Sequence, residues 1–144
     1  MTPGAVTSMW QLERRRGVTM DLDSRSMANI LLAEDDDAMR QFLGAALSRA
    51  GHKVMSYADG VSALGALQQD FDLLITDIVM PGLDGIELAR RARLGKPELR
   101  VMFITGFAAV VLDGGASPLP GAALLSKPFH LRELVERVEA LLAA

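Results

Sequence analysis

The stretch FDLLITDIVMPGLDG, at residues 71–85, constrains the fold of this chain more than any other. Leu73, Leu74 and Ile75 form a continuous apolar run, which is typical of a strand buried on both faces in a parallel sheet. A strand buried so deeply leaves little room for an unpaired charge, so we expect Asp77 to lie at its carboxyl end. In open α/β sheets, ligands bind at that end.

Apolar strand patterns alternate with helical patterns along most of the chain. Strands are predicted at 29–33, 53–57, 73–77, 100–105 and 122–126, and helices at 38–50, 61–69, 86–93, 107–112 and 131–142. On the second helix, the spacing places Val61, Leu64 and Leu67 inward. This alternation predicts an α/β fold, with a doubly wound five-stranded parallel sheet and helices on both faces. The expected architecture is flavodoxin-like, with the strand order 2-1-3-4-5.

Composition excludes several classes of function. The chain has 144 residues, enough for one domain with a full core, and its formal net charge of −3 gives no basic field for nucleic acid. It contains no cysteine, which excludes disulfide and thiol chemistry. No apolar run approaches the roughly 20 residues that a membrane-spanning helix needs. We therefore expect a cytoplasmic protein without nucleic-acid or membrane partners.

Residues 1–27 differ from the remainder because they mix Gly, Pro, Ser and charged residues without a sustained period. We expect a mobile extension here and a folded domain over residues 28–144. Two other interpretations stay open: the segment binds a partner, or translation starts at Met27, directly before the first strand. Since the chain ends just after the last predicted helix, no output domain is expected to follow.

Polar or charged side chains follow four of the predicted strands. They are the run Glu34, Asp35, Asp36 and Asp37 after the first strand, Asp77 at the end of the third, Thr105 at the end of the fourth and Lys127 at the end of the fifth. In the order 2-1-3-4-5, strands 1 and 3 are neighbours, so Asp35 and Asp77 should face each other. Carboxylates this close repel unless a cation lies between them, and hard oxygen ligands suit Mg²⁺. An acidic run such as 34–37 is also typical of a solvated helix N-terminus, but four converging strand ends favour a joint site.

The segments ILLAEDDDAMR, LLITDIVMPGLDG, MFITG and LSKPF resemble the motifs of bacterial two-component response-regulator receiver domains, in the same order and spacing. The resemblance extends from about residue 29 to the end of the chain and implies the CheY-like form of the flavodoxin-like fold. It implies that Asp77 is the phosphoacceptor, that Thr105 is the switch hydroxyl and that Lys127 contacts the phosphoryl group.

The same resemblance implies a metal site and a special peptide bond. Asp35, Asp77 and the main-chain carbonyl of Val79 would ligate Mg²⁺, with Glu34 assisting through water. The peptide bond between Lys127 and Pro128 is expected to be cis, which is accessible in energy for an X-Pro bond.

The chain departs from the receiver pattern at two places. The switch position three residues before the lysine is usually aromatic, but here it is Leu124. The segment 107–121, FAAVVLDGGASPLPG, has Asp113 as its only charge. A short helix this apolar either contacts a partner or is poorly ordered, and an exposed apolar patch favours the partner.

Among stand-alone receivers, the EDDDA start, the TGFA after the fourth strand and the KPF segment most resemble the CpdR type. This likeness implies phosphorylation by a histidine kinase or histidine phosphotransferase, with self-catalysed transfer and no other enzymatic activity. It also implies that the unphosphorylated form is an adaptor that binds the ClpX unfoldase of the ClpXP protease.

Other classes of function differ in what they require of the sequence. A chemotaxis-type regulator and a phosphate shuttle stay open, although Leu124 argues against the chemotaxis type. A dehalogenase-type phosphatase would need a second acid two residues after the nucleophile, where this chain has Val79.

Overall fold

The computed structural model describes residues 27–106 and 118–144. Its five strands form one parallel sheet in the order β2-β1-β3-β4-β5. The strands are β1 (Asn29–Ala33), β2 (Lys53–Tyr57), β3 (Leu73–Asp77), β4 (Arg100–Thr105) and β5 (Ala123–Ser126). The helices are α1 (Asp37–Arg49), α2 (Gly60–Gly65), α3 (Gly85–Gly95) and α4 (Leu131–Ala143), and a 3-10 turn (Ala66–Gln68) follows α2. The predicted sheet and its strand order are confirmed.

Side chains of the central strands alternate between two apolar cores, one on each face of the sheet. Leu31 and Leu74 point into the core that α2 and α3 cover. Ile30 and Ile75 point into the opposite core, which α1 and α4 cover. All five residues of β3 are buried, as the apolar run after Phe71 predicts. The sheet therefore holds the carboxyl end of β3 at a fixed place between two packed layers.

An aspartate caps each of the first three helices. The side chains of Asp36, Asp59 and Asp84 accept hydrogen bonds from backbone N–H groups three residues on, at 2.8, 2.7 and 2.8 Å. These bonds satisfy donors that a helix N-terminus otherwise leaves without a partner. Each helix can therefore start within a few residues of a preceding strand or turn.

The prediction for the second helix was wrong in its length and partly wrong in its buried face. The α-helix ends at Gly65, and the chain continues as a 3-10 turn. Val61 is 65% exposed. The inward position of the first turn is taken by Gly60, where a Cβ atom would lie 2.5 Å from the carbonyl oxygen of Leu83. This close approach turns the next residue outward, while Leu64 and Leu67 are half-buried as expected.

Polar contacts fasten α4 to the sheet in addition to its apolar face. The imidazole of His52 is buried, accepts from the Ala28 N–H at Nδ1 (3.3 Å) and lies 3.0 Å from Glu139 through Nε2. The Arg137 guanidinium donates to the carbonyl of Leu124 on β5 at 2.6 Å. These contacts join α4 to the residue before β2 at one edge of the sheet and to β5 at the other edge.

Some predicted features lie outside the described residues. They are the N-terminal segment up to residue 26, the predicted helix 107–112 and most of the apolar segment around it. Within residues 27–106 and 118–144, no helix is long and apolar enough to cross a bilayer.

Candidate functional site

The acidic run after β1 divides into two pairs with different surroundings. Asp36 caps α1, and Asp37 lies in its first turn, where its carboxylate pairs with Arg40 at 2.6 Å. This pair fits the ordinary role of acids at a helix N-terminus. Glu34 is instead almost completely buried, at 1% exposure, while Asp35 beside it is exposed. Only Glu34 and Asp35 face the end of β3.

Glu34, Asp35 and Asp77 each contribute a carboxylate oxygen to one cluster, and these three atoms all lie within 4.8 Å of one another. Because β1 and β3 are adjacent parallel strands, their carboxyl ends meet at the same edge of the sheet. The predicted approach of Asp35 to Asp77 is therefore present in the structure.

The Lys127 ammonium reaches this cluster from the end of β5. Its Nζ lies 3.1 Å from Asp77 Oδ2 and 3.4 Å from Glu34 Oε1. The Asp77 carboxylate also accepts from the Val79 N–H at 3.2 Å. The peptide bond between Lys127 and Pro128 is cis, as predicted.

Thr105 lies at the end of β4 and is completely buried. It follows Ile104, the residue that pairs with Asp77 across the sheet. Its carbonyl accepts from the Lys127 N–H at 2.8 Å, so the ends of β4 and β5 are joined directly beside the acidic cluster. The Val79 side chain is 54% exposed on the loop after β3.

Burial and charge shift the pKa values of two ionisable groups in the site, Glu34 and Lys127. Burial is the largest influence on Glu34 and raises the pKa of its carboxyl, and the nearby Asp77 charge adds to the rise despite the opposing bonds from Asp36 and Lys127. Burial lowers the pKa of the Lys127 ammonium, but the hydrogen bond and charge of Asp77, with those of Glu34, outweigh it and leave the pKa raised. The site therefore holds Lys127 in its charged form.

The donor set suits a divalent cation. Three carboxylates and one ammonium, if all are ionised, carry a formal charge of −2 (three negative, one positive). The three carboxylate oxygens lie within 4.8 Å of one another, and carboxylate oxygens are the hard ligands that Mg²⁺ prefers. Hard oxygen ligands and a matching charge make the residues present a fit for Mg²⁺.

Thr76 and Gly85 contribute to this site, and the sequence analysis missed both. The Thr76 hydroxyl donates to the Asp77 carbonyl at 2.9 Å. A Cβ atom at Gly85 would lie 2.0 Å from that same carbonyl oxygen. A signal was available, because Asp84 followed three residues later by Glu87 is the pattern of a helix start, which puts a glycine in the first turn beside β3.

The family model for the response regulator receiver domain, which describes the sequence pattern of that family, matches residues 30–139 of this chain. The chain belongs to the response regulator receiver domain family. This receiver is 56% identical to the response regulator receiver protein CpdR of Brucella abortus (strain 2308) over 119 residues, 82% of this chain and 99% of that protein. It is therefore a phosphorylatable, CpdR-like regulator of two-component signalling.

Two further comparisons place the receiver among its relatives. It is 34% identical to the sensor kinase CckA of the same Brucella strain over 135 residues, which are 90% of this chain and 14% of the kinase. The structure of the chemotaxis protein CheY4 of Vibrio cholerae superposes with a TM-score of 0.73 at 26% identity, covering 80% of this chain and 98% of that one. The CheY-like fold is thereby confirmed, while the roles of Asp77, Thr105, Lys127 and Val79 stay predictions.

Gly85→Ala should destabilise the fold by about 2–3 kcal/mol, since its Cβ would collide with backbone rather than with a flexible side chain. Gly44 in α1 provides the matched control, because a Cβ there meets nothing within 4 Å. Gly44→Ala should stabilise by ~0.5–1 kcal/mol through helix propensity. Urea unfolding measures both, and equal effects of the two substitutions would contradict the close packing of α3 on β3.

Glu34→Gln should stabilise the metal-free receiver at neutral pH. The folded-state pKa of Glu34 is raised above 4.5, so the folded state binds this proton more tightly than the unfolded chain does. Its contribution to stability is present below the unfolded pKa and is lost as pH rises through the folded pKa. Unfolding in EDTA from about pH 4 to about pH 8 should show the advantage of the Gln variant growing with pH. An advantage that does not depend on pH would contradict the raised pKa.

Proposed function

We propose that this receiver accepts a phosphoryl group on Asp77 and acts through protein contacts that phosphorylation controls. The contact of Lys127 Nζ with Asp77 Oδ2, at 3.1 Å inside the three-carboxylate cluster, is the observation that carries this proposal. Glu34 also contacts Lys127 and is more deeply buried, but its contact is longer, at 3.4 Å, and Asp77 is the acid that ends the buried central strand β3. That arrangement orients one carboxylate and places positive charge where a phosphoryl group would arrive.

Asp35 and Asp77 would hold Mg²⁺ together with the Val79 carbonyl, and Glu34 would assist through water. When bound, the ion supplies neutralisation of the negative charge on a transferring phosphoryl group. An Asp77 carboxylate oxygen attacks the phosphorus of a phosphohistidine, the P–N bond breaks, and the imidazole leaves. The product is an acyl phosphate, and Lys127 stabilises charge on its oxygens.

The phosphoryl group carries roughly two negative charges, and they replace the single charge of the Asp77 carboxylate next to Thr105 and Lys127. Thr105 would act as the switch hydroxyl, bonding a phosphoryl oxygen from the end of β4. The Lys127 N–H already bonds the Thr105 carbonyl, so a shift of either residue moves the ends of β4 and β5 together. Such a displacement of two strand ends is the type of local event that biases a two-state switch.

The phosphodonor would be a histidine kinase or a histidine phosphotransferase, and an apolar surface beside the site suits its helices. Phe42 on α1 is 56% exposed. A cavity of about 320 Å³ lies between α1 and α4, beginning at Ala46, one helical turn after Phe42. Leu131 and Val135 of α4 also line it, together with charged residues. Both helices begin at the carboxyl edge of the sheet, so a helix docked here would carry its histidine towards Asp77.

The output would be adaptor binding to the ClpX unfoldase of the ClpXP protease by the unphosphorylated form. The 56% identity to CpdR over 99% of that protein supports this finer assignment. A phosphate shuttle is the second candidate, and the similarity to the sensor kinase CckA supports it. Return of label from phosphorylated receiver to a histidine phosphotransferase would favour the shuttle.

Asp77→Asn should abolish labelling by acetyl phosphate, in which acetate leaves as the P–O bond breaks. The substitution keeps the shape of the side chain but removes the nucleophilic carboxylate. Intact-protein mass spectrometry should show one added phosphoryl group on the wild type with Mg²⁺ and none on the variant. Asp37→Asn is the matched control, since Asp37 belongs to the acidic run but lies outside the cluster. Labelling of the Asp77→Asn variant at wild-type stoichiometry would refute the assignment.

Binding to ClpX should depend on the state of Asp77. Titrating purified ClpX with fluorescently labelled receiver should give tighter binding without beryllofluoride, a phosphoryl mimic, than with Mg²⁺ and beryllofluoride together. The Asp77→Asn variant controls for effects of the salt, because it should bind equally in both buffers. No saturable binding in either state would refute the adaptor role and leave the phosphoacceptor role standing.

A further inference from the structure

Thr76 precedes the phosphoacceptor position but belongs to the other face of the sheet. Since strand side chains alternate, Thr76 lies on the α2/α3 face with Leu74, while Asp77 faces the acidic cluster. Thr76 is completely buried, so its hydroxyl must find a partner inside the protein. That partner is the Asp77 carbonyl oxygen, at 2.9 Å.

Gly85 packs closely against the same carbonyl of Asp77. A Cβ atom on Gly85 would lie 2.0 Å from the Asp77 oxygen and 3.0 Å from Thr76 Oγ1. The Gly85 N–H donates to the Ile78 carbonyl at 2.9 Å. The first residue of α3 therefore packs directly against the peptide that follows Asp77, and the Thr76 hydroxyl lies at the edge of this contact.

We infer that Thr76 is a positioning residue for phosphoryl transfer. Its hydroxyl bond fixes the peptide between Asp77 and Ile78, and through that peptide it fixes the orientation of the Asp77 carboxylate. The Val79 N–H, which donates to Asp77 Oδ1 at 3.2 Å, belongs to the next peptide of the same loop. The inference rests on the proposed role of Asp77 as phosphoacceptor.

The physical reason is the accuracy that an in-line attack needs. A misplacement of about 1 Å can cost two orders of magnitude in rate, so a nucleophile at the end of a strand requires support behind its backbone. Lys127 and the acidic cluster contact Asp77 only from the cleft side. Thr76 and Gly85 supply support from the opposite side.

A purely structural role for Thr76 makes a different prediction. Threonine is favoured in strands for its β-branched shape, and in that case its methyl group would matter rather than its hydroxyl. Thr76→Val keeps the shape and removes the hydroxyl, whereas Thr76→Ser keeps the hydroxyl and removes the methyl group. The two variants therefore separate positioning from packing.

The experiment measures the rate constant of phosphorylation by acetyl phosphate at saturating Mg²⁺, followed by intact-protein mass spectrometry. Thr76→Val should be slower by about 10-fold or more, and Thr76→Ser should stay within about two-fold of wild type. In the metal-free protein, the amide resonances of Ile78, Val79 and Gly85 should shift in the Val variant and stay near their wild-type positions in the Ser variant.

A wild-type rate for Thr76→Val, or a Ser variant as slow as the Val variant, would overturn the inference. If Thr76→Val does not fold, Thr76→Ser is compared with Thr76→Ala, a pair that differs only by the hydroxyl oxygen. Equal rates in that pair would also overturn the inference. Failure of the wild type to be labelled on Asp77 is a different result, which refutes the proposed function itself.

Discussion

An unbalanced charge at the carboxyl edge of the sheet is the constraint on which the site depends. Three carboxylates gather within 4.8 Å, and one ammonium among them leaves a formal charge of −2 when all four are ionised. Partly buried like charges repel strongly unless a cation or a proton compensates them. The pairing of β1 with β3 holds these carboxylates at one edge of the sheet, and a divalent ion would compensate their charge.

The strand order creates this concentration of charge. β1 and β3 are neighbours although they are not consecutive in sequence, and β4 and β5 extend the same edge. The strand order alone therefore brings together the residues that follow these strands, although they are far apart in the sequence. The bond from the Lys127 N–H to the Thr105 carbonyl ties the far half of the edge together. The bond from the Arg137 guanidinium to the Leu124 carbonyl joins β5 to α4.

Much of the fold and of the cluster could be predicted from sequence because both follow from local patterns. The apolar run of β3 indicates burial on both faces, and the strand-end acids follow from the order of the strands. The strand pattern alone does not distinguish the four acids of the run 34–37. The receiver resemblance assigns Glu34 and Asp35 to the site, and the packing of α1 accounts for Asp36 and Asp37. The outward position of Val61 and the support by Thr76 depend on close approaches at Gly60 and Gly85, which the sequence pattern does not display.

The most direct test of the central claim is an NMR titration of the receiver with Mg²⁺, in which backbone amides report where the ion binds. We expect saturable shifts concentrated at residues 34–36, 77–79 and 127, with binding strongly weakened by Asp35→Asn and little affected by Asp37→Asn. Shifts distributed over other acidic surfaces, or equal affinities for the two variants, would contradict a divalent-ion site built from the ends of β1 and β3.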